Sequence, residues 1–309
     1  MLDYVLLIVG FVLLIKGADF FVDGSASVAK KLRVPSMIIG MTIVAMGTSA
    51  PECAVSVAAS IKGSNTMAIS NVVGSNIFNL MIVTGACALF TAVPVKINTL
   101  KQEFPLSVLA AVLLLGGGYL AMDLNRWEGI ILLLIFAAFL VWMVMEAKKA
   151  RANADEEEIE TLPGWKCIVF IIGGILAIVF GGDLVVDSAS AIAAAFGLSQ
   201  TLIGLTVVAF GTSLPELVTS LVAAKKGETD MALGNVIGSN IFNILLVLGV
   251  AAAVSPMAMM MENLVDTIIL IAVSILVWIF AWRQKKLNRV HGIIMILIYA
   301  AYVVYICMR

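Results

Sequence analysis

Glu52 closes the stretch VAMGTSAPE (44–52), directly after Pro51, with apolar sequence on both sides: Met37 to Val44 upstream and Ala54 to Ala59 downstream. Proline has no backbone N–H, and its ring crowds the carbonyl four residues back, here Gly47, so a helix through this stretch must bend. Gly47 eases the unwinding, and carbonyls from Ala45 to Thr48 are expected to lose their intrahelical partners. In hydrocarbon an unpaired carbonyl is costly unless it lines a cavity or binds something. An ionised side chain at the middle of a membrane helix costs about 2.5–3.5 kcal/mol on insertion scales. A bound cation offsets both.

The same chemistry occurs twice. VAMGTSAPE (44–52) returns as VAFGTSLPE (208–216), and NVVGSNIFN (71–79) returns as NVIGSNIFN (235–243), both at an offset of 164. That offset also carries Asp19 to Asp183, Asp23 to Asp187, Gly40 to Gly204 and Thr42 to Thr206. Together the motifs offer freed carbonyls, Ser and Thr hydroxyls, Asn amides, and the carboxylates Glu52 and Glu216. This all-oxygen set suits a hard cation such as Ca²⁺ or Na⁺ and lacks the imidazole or thiolate that transition metals favour. A lone kink or a lone lysine-paired glutamate would have an ordinary structural explanation. Here the only basic residue well inside a span is Lys16, which cannot neutralise two glutamates.

The elements that must position these groups follow from composition. Of 309 residues 62% are hydrophobic and 13% charged, and the mean hydropathy is +1.10, the profile of a polytopic membrane protein. A net charge of −1 gives no basis for nucleic-acid binding. Ten apolar spans are expected, near 3–29, 35–61, 66–90, 101–121, 127–146, 164–195, 200–224, 231–253, 263–282 and 289–308. The second, third, seventh and eighth are read as interrupted by Gly and Pro. With the N-terminus outside, the loops assigned to the cytoplasm hold fifteen Lys and Arg, against Lys62, Arg126 and Arg309 outside. Both termini are therefore expected to be extracytoplasmic. Each half carries five spans, so the second half enters the membrane inverted. The expected fold is all-α, with ten transmembrane helices in two inverted five-helix repeats. The repeats occupy 1–147 and 164–309, joined by a cytoplasmic acidic linker at 148–163. Inverted repeats with broken helices at matching positions mark secondary transporters, with the binding site at mid-membrane.

The paired G-[TS]-S-x-P-E and G-S-N-x-x-N segments resemble the two α-repeats of the sodium/calcium exchanger family, within the cation/calcium exchanger superfamily. The ten-span layout is similar to its prokaryotic calcium/sodium antiporters, and the likeness covers essentially the whole chain. The resemblance implies a core of helices two, three, seven and eight, with the first and sixth sliding as a gating pair. It implies Glu52 and Glu216 as principal cation ligands, with Asn79 and Asn243 lining the centre. Ser49, Ser213, Ser75 and Ser239 would add side-chain oxygens, and Thr48, Thr212, Ala45 and Ala209 mainly backbone carbonyls. Some relatives, especially potassium-dependent ones, carry Asp at the position of Asn243; Asn at both equivalents argues against potassium co-transport. Ca²⁺ and Na⁺ are then transported substrates, with no cofactor, in a plasma (inner) membrane protein expected to function as a monomer.

Charge arithmetic favours exchange over leak. Two bare glutamates at the midplane cost on the order of 5–7 kcal/mol. One Ca²⁺ or two Na⁺ cancel that charge, so a carrier that reorients only when neutralised must trade one ion for another. Protons can occupy the pair too, so low pH should compete with cations. Proton-coupled exchange of Ca²⁺ or another cation is the alternative within the superfamily. A membrane serine hydrolase using Ser49 or Ser213 would lack a core histidine, and a passive channel has no need of two buried carboxylates in inverted halves. Asp19/Asp23 and Asp183/Asp187 are i, i+4 pairs that could line access vestibules or be satisfied at helix ends. The run Asp155 to Glu158 reads as a solvated linker, since it lacks the spaced loop pattern of a Ca²⁺ site. His291 has no partner that suggests metal or acid–base work. Cys53, Cys87, Cys167 and Cys307 read as inert thiols, and no cleavable signal is evident.

Overall fold

The computed structural model describes residues 2–61, 65–153, 161–197 and 209–308. Among these, eight helices are long and apolar enough to cross a membrane, and a ninth span is a bent pair. In chain order they begin with α1 (Leu2–Leu32), the bent pair α2 (Ser36–Thr48) and α3 (Ala50–Ile61), α4 (Ala68–Phe90), α5 (Thr99–Tyr119) and α6 (Arg126–Ala152). Then come α7 (Gly164–Ala195), the shorter α8 (Leu214–Lys225), α9 (Thr229–Val254), α10 (Met261–Gln284) and α11 (Arg289–Met308). Gly204, Thr206, Lys62, the 155–158 run and the start of the expected seventh span lie outside the described residues.

Burial separates the layers. The most apolar stretches of α4 and α9 are 78% and 83% buried, against 22–44% for the other unbroken spans. These two helices form the core, with lipid-facing helices around them. Contrary to the sequence expectation, neither is interrupted: each runs through its glycines and contains instead one π-helical stretch, Asn79–Val83 and Asn243–Leu248. The glycines serve close approach. A Cβ on Gly238 would sit 2.5 Å from Met41 Cα, so glycine lets α9 touch the backbone of α2. The expected break in the second span is real and falls at Ser49, where the axis turns by 50° between α2 and α3.

α1 and α7 form a separate, tightly packed antiparallel pair. Gly10, Gly17 and Gly24 recur every seven residues and meet Gly181, Gly174 and Cys167 in reverse order. A Cβ added to Gly174 would lie 2.8 Å from Gly17 O and from Phe21 N. Small residues at this seam bring the two backbones into contact, the arrangement that favours helix association in lipid.

The halves of the chain are also knitted at their loops. β1 (Val93–Pro94) pairs antiparallel with β4 (Lys286–Leu287), and β2 (Asp123–Leu124) with β3 (Met257–Ala258). Left-handed residues Met122 and Lys285 end α5 and α10 just before β2 and β4. Asn125 then caps α6 with Glu128 in a reciprocal box, and Asn288 caps α11 with His291 in the same way. His291 thus has a structural job: it closes the cap and stacks on Phe280 at 4.6 Å.

Asp19 and Asp23 are partly exposed, and Asp23 and Lys226 line a cavity of about 730 Å³. Both lie 2.6 Å from Lys226, just beyond α8, and tie α1 to that helix end. Burial alone would lower the Lys226 pKa, but the hydrogen bonds and charges of the two aspartates outweigh it and raise it above the ordinary 10.5. The ammonium therefore keeps its charge through neutral pH, and this contact weakens only as pH climbs past the usual lysine range.

Enlarging the helix seam gives a direct test. Gly174→Leu should destabilise the protein by about 1–3 kcal/mol, the usual cost of overpacking, because the clash is with the backbone of α1. Thermal unfolding of the purified variant in detergent measures it, and an unchanged midpoint would mean that α1 and α7 are not held in contact.

Candidate ion-binding centre

The bend at Ser49 brings the end of α2 and the start of α3 against the start of α8, so that Glu52 and Glu216, each in the first turn of its helix, both point inward. Both are 0% exposed. Among the described residues no lysine or arginine is buried, so neither carboxyl has a cationic partner. They interact instead with each other and with the opposite half of the chain. The Ser49 hydroxyl donates to Glu216 Oε1 at 2.8 Å, and Ser213 donates toward Glu52 Oε1 at 3.4 Å, with Ser75 Oγ also 3.2 Å from Ser213. Each serine serves the glutamate of the other repeat.

The asparagines are exchanged in the same way. Asn76 donates its amide to Asn240 O at 3.1 Å, and Asn240 donates to Asn76 O at 3.3 Å. Asn79 donates to Asn240 Oδ1 at 3.3 Å, and Asn243 to Asn76 Oδ1 at 3.1 Å. The second pair fixes orientation: with both NH₂ groups engaged, the Oδ1 atoms of Asn79 and Asn243 are left over. These two amide oxygens, Glu52 Oε2 and Glu216 Oε2 are all buried and have no hydrogen-bond partner. Ser239 Oγ is a fifth such atom. A buried acceptor without a donor costs on the order of 1–3 kcal/mol, more if charged, so four related by one offset are a set that a cation would satisfy.

A further shell steadies the helices that carry these groups. Asn71 donates to Ser56 at 3.0 Å and Asn235 to Ser220 at 2.9 Å, again at the 164-residue offset. Thr48 Oγ1 lies 3.1 Å from Asn235 Oδ1 and 3.2 Å from Val44 O. Asn79 and Asn243 each begin a π-helical stretch, a distortion that often accompanies a functional side chain.

Of the residues singled out from sequence, the structure gathers Glu52, Glu216, Ser49, Ser213, Ser75, Asn79 and Asn243 by direct hydrogen bonding or contact, and buries Ser239 and Thr48. Thr212 sits in the turn before α8, and Ala209 opens the short helical turn Ala209–Gly211. Ala45 differs from expectation: its carbonyl is not released but accepts from Ser49 N at 3.0 Å, because the helix persists for one more turn before it bends. Asn76 and Asn240 were missed as orienting residues. Their signal was present in the repeated GSN triplet, whose third member recurs at the same offset as the rest.

Helices long and apolar enough to cross a membrane, packed around a buried oxygen-rich centre, define the class of helical membrane proteins. A sequence profile of the family described as sodium/calcium exchanger protein matches residues 2–145 and 166–308. An Alkalimonas amylolytica protein named as an antiporter, CaxA, is 43% identical, with 96% of each chain covered. The sodium/calcium exchanger MaX1 of Methanosarcina acetivorans is 33% identical across 98% of this chain and 97% of its own length. The solved structure of the sodium-calcium exchanger NCX_Mj soaked with 10 mM Na⁺ and 10 mM Sr²⁺ superposes with a TM-score of 0.87 at 34% identity, covering 98% of both chains. This chain therefore belongs to the sodium/calcium exchanger family.

The exchanged asparagines make a checkable statement about orientation. Asn76→Ala or Asn240→Ala removes the group that holds the opposite repeat's Asn243 or Asn79 amide, without removing any of the four free oxygens. Cation affinity should fall about 10–100-fold, the usual effect of losing a residue that aligns a ligand. Calorimetric titration with Ca²⁺ reads this, and an unchanged affinity would show that the amide oxygens need no alignment.

Proposed function

We propose that this protein is a secondary active antiporter that exchanges Ca²⁺ for Na⁺ by alternating access at a mid-membrane centre built from Glu52 and Glu216. The observation that carries the reading is the set of four buried, unpaired acceptor oxygens, two carboxylate and two amide, with no buried cationic side chain among the described residues. Two carboxylates match the charge of one Ca²⁺ or two Na⁺. Neutral oxygens of Asn79, Asn243, Ser239 and the backbone near the bends offer places for further Na⁺ without adding charge. The names of the relatives MaX1 and NCX_Mj, both sodium/calcium exchangers, support these substrates.

In this reading the chain has ten spans in two inverted repeats, 1–147 and 164–309, with 148–163 as a cytoplasmic linker and both termini extracytoplasmic. The hydrogen bonds paired at one offset support the inverted arrangement. A monomer is the transporting unit in this reading. The glycine seam holds α1 and α7 together, which supports the reading that they slide as one gating pair. A hydrolase is poorly supported: the single histidine of the chain closes the cap of α11. Asn at both central positions favours exchange without K⁺.

In proteoliposomes an imposed Na⁺ gradient should drive uptake of labelled Ca²⁺ with no K⁺ present. Flux that required K⁺, or that followed only a proton gradient, overturns the assignment. Glu52→Gln and Glu216→Gln keep size and hydrogen bonding but leave one charge, and each should abolish Ca²⁺ exchange, a loss of at least about 100-fold for roughly 3 kcal/mol of lost ion binding. Wild-type rates in either variant would remove that residue from the ligand set. Asn243→Asp, which puts a third carboxyl at the centre, should make exchange responsive to K⁺; behaviour identical to the parent with and without K⁺ would place Asn243 outside the centre.

A further inference from the structure

A second polar feature lies between α5 and α6, outside the ion centre and unused by exchange. A cavity of about 230 Å³ opens where α5 begins and α6 ends, walled in part by Asn98, Thr99, Glu103, Glu146 and Lys149. A groove of about 420 Å³ runs on along the same two helices, walled by Leu106, Ile135, Ala138 and Phe139. Gln102 and Trp142 wall both, so the two form one slot that is apolar toward mid-membrane and polar at the helix ends. Along α6 the wall positions 135, 138, 142, 146, 149 and 153 follow the spacing of a single helix face. From Ile135 to Asn153 that face extends about 27 Å at about 1.5 Å per residue. One bilayer leaflet with its headgroups spans about 20–22 Å, so a phospholipid fits the length.

The charges in the slot say which lipid. Glu103 is 8% exposed, and its Oε2 is buried without a hydrogen-bond partner. Glu146, one helix away, is close enough to Glu103 for their charges to interact, and lies 3.8 Å from Lys149, beyond hydrogen-bond range. Two carboxylates with unused acceptor capacity ask for an N–H donor, and a primary ammonium supplies three. The mouth of the cavity holds the opposite charge. Lys149 is 71% exposed, and Lys96, paired on one side with Asp230, is 62% exposed, so both keep donors for a phosphate. A purely anionic headgroup would set its charge against Glu103 and Glu146. A choline headgroup carries no N–H to give them.

We propose that the slot binds a phospholipid with a primary-amine headgroup of the phosphoethanolamine type. The ammonium lies between Glu103 and Glu146, the phosphate faces Lys149 and Lys96, and an acyl chain occupies the groove under Trp142. The assignment stands independently of which ions the centre exchanges.

Lipid retention tests it. The full chain is equilibrated with mixed vesicles of dioleoyl phosphatidylethanolamine, phosphatidylcholine and phosphatidylglycerol, repurified, and its bound lipid counted by native mass spectrometry. The ethanolamine lipid should be retained at least about fivefold over either competitor. Glu103→Gln should erase the preference, Glu103→Asp should keep it, and Ala138→Trp should lower retention of every lipid by filling the groove. N-methylated ethanolamine lipids offered to the unaltered chain should be retained less with each methyl added, which tests the ammonium donor without any variant. Equal retention of the choline lipid, a preference for the glycerol lipid, or an undiminished preference in Glu103→Gln would overturn the proposal.

Discussion

Two carboxylates share a buried centre with no buried lysine or arginine among the described residues to neutralise them, and the rest of the architecture follows from how they are held. Each offers one oxygen to a serine from the other repeat and leaves its second oxygen free. A serine hydroxyl satisfies a lone pair without cancelling the charge, so the centre stays short of positive charge by design of its side chains. Holding Glu52 and Glu216 in this way requires two helices that end or bend at the same depth, which the Ser49 turn and the turn before α8 provide. It also requires two unbroken helices behind them, α4 and α9, stiff enough to hold four asparagines in mutual contact.

Those helices are themselves supported by exchange between the halves. Phe78, next to Asn79, packs edge-on against Tyr299 of α11 at 5.6 Å, and Phe242, next to Asn243, packs against Phe136 of α6 at 5.8 Å. Aromatic pairs of this geometry add about 0.5–1.5 kcal/mol beyond their buried area. The same layout recurs in the ladders β1–β4 and β2–β3. The outer helices of one half therefore back the inner helix of the other, while α1 and α7 are joined to each other through glycine and to the end of α8 through Lys226.

Much of this was legible in the sequence because it was written twice. The 164-residue offset revealed Glu52 with Glu216 and Asn79 with Asn243 as equivalents, and Pro51 after Gly47 located the bend to within two residues. What escaped was pairing across the chain. Ser49 and Glu216 are 167 residues apart, and no local spacing says that a serine will serve the opposite glutamate rather than its own. Asn76 and Asn240 were overlooked for the same reason: their partners are each other. Glycines in α4 and α9 read as breaks, since glycine weakens an isolated helix, whereas tertiary packing uses Gly238 as a place for another backbone to pass. For Asp19 and Asp23 the sequence left access vestibule and helix-end satisfaction both open, and the partner Lys226, more than 200 positions away, is beyond any helical rule.

The exchanged serines also bear on how the chain is made. Glu52 and its hydroxyl partner Ser213 are separated by 161 residues. At about 5–20 residues per second, a ribosome needs roughly 8–30 s to bridge that gap. During this interval the first half is already in the bilayer with a glutamate whose partner does not yet exist. The nascent half must keep Glu52 protonated, wetted or sheltered by the insertion machinery until the second half arrives. The buried centre therefore cannot close before the second half is made, and biosynthesis has to carry an unpartnered glutamate until then.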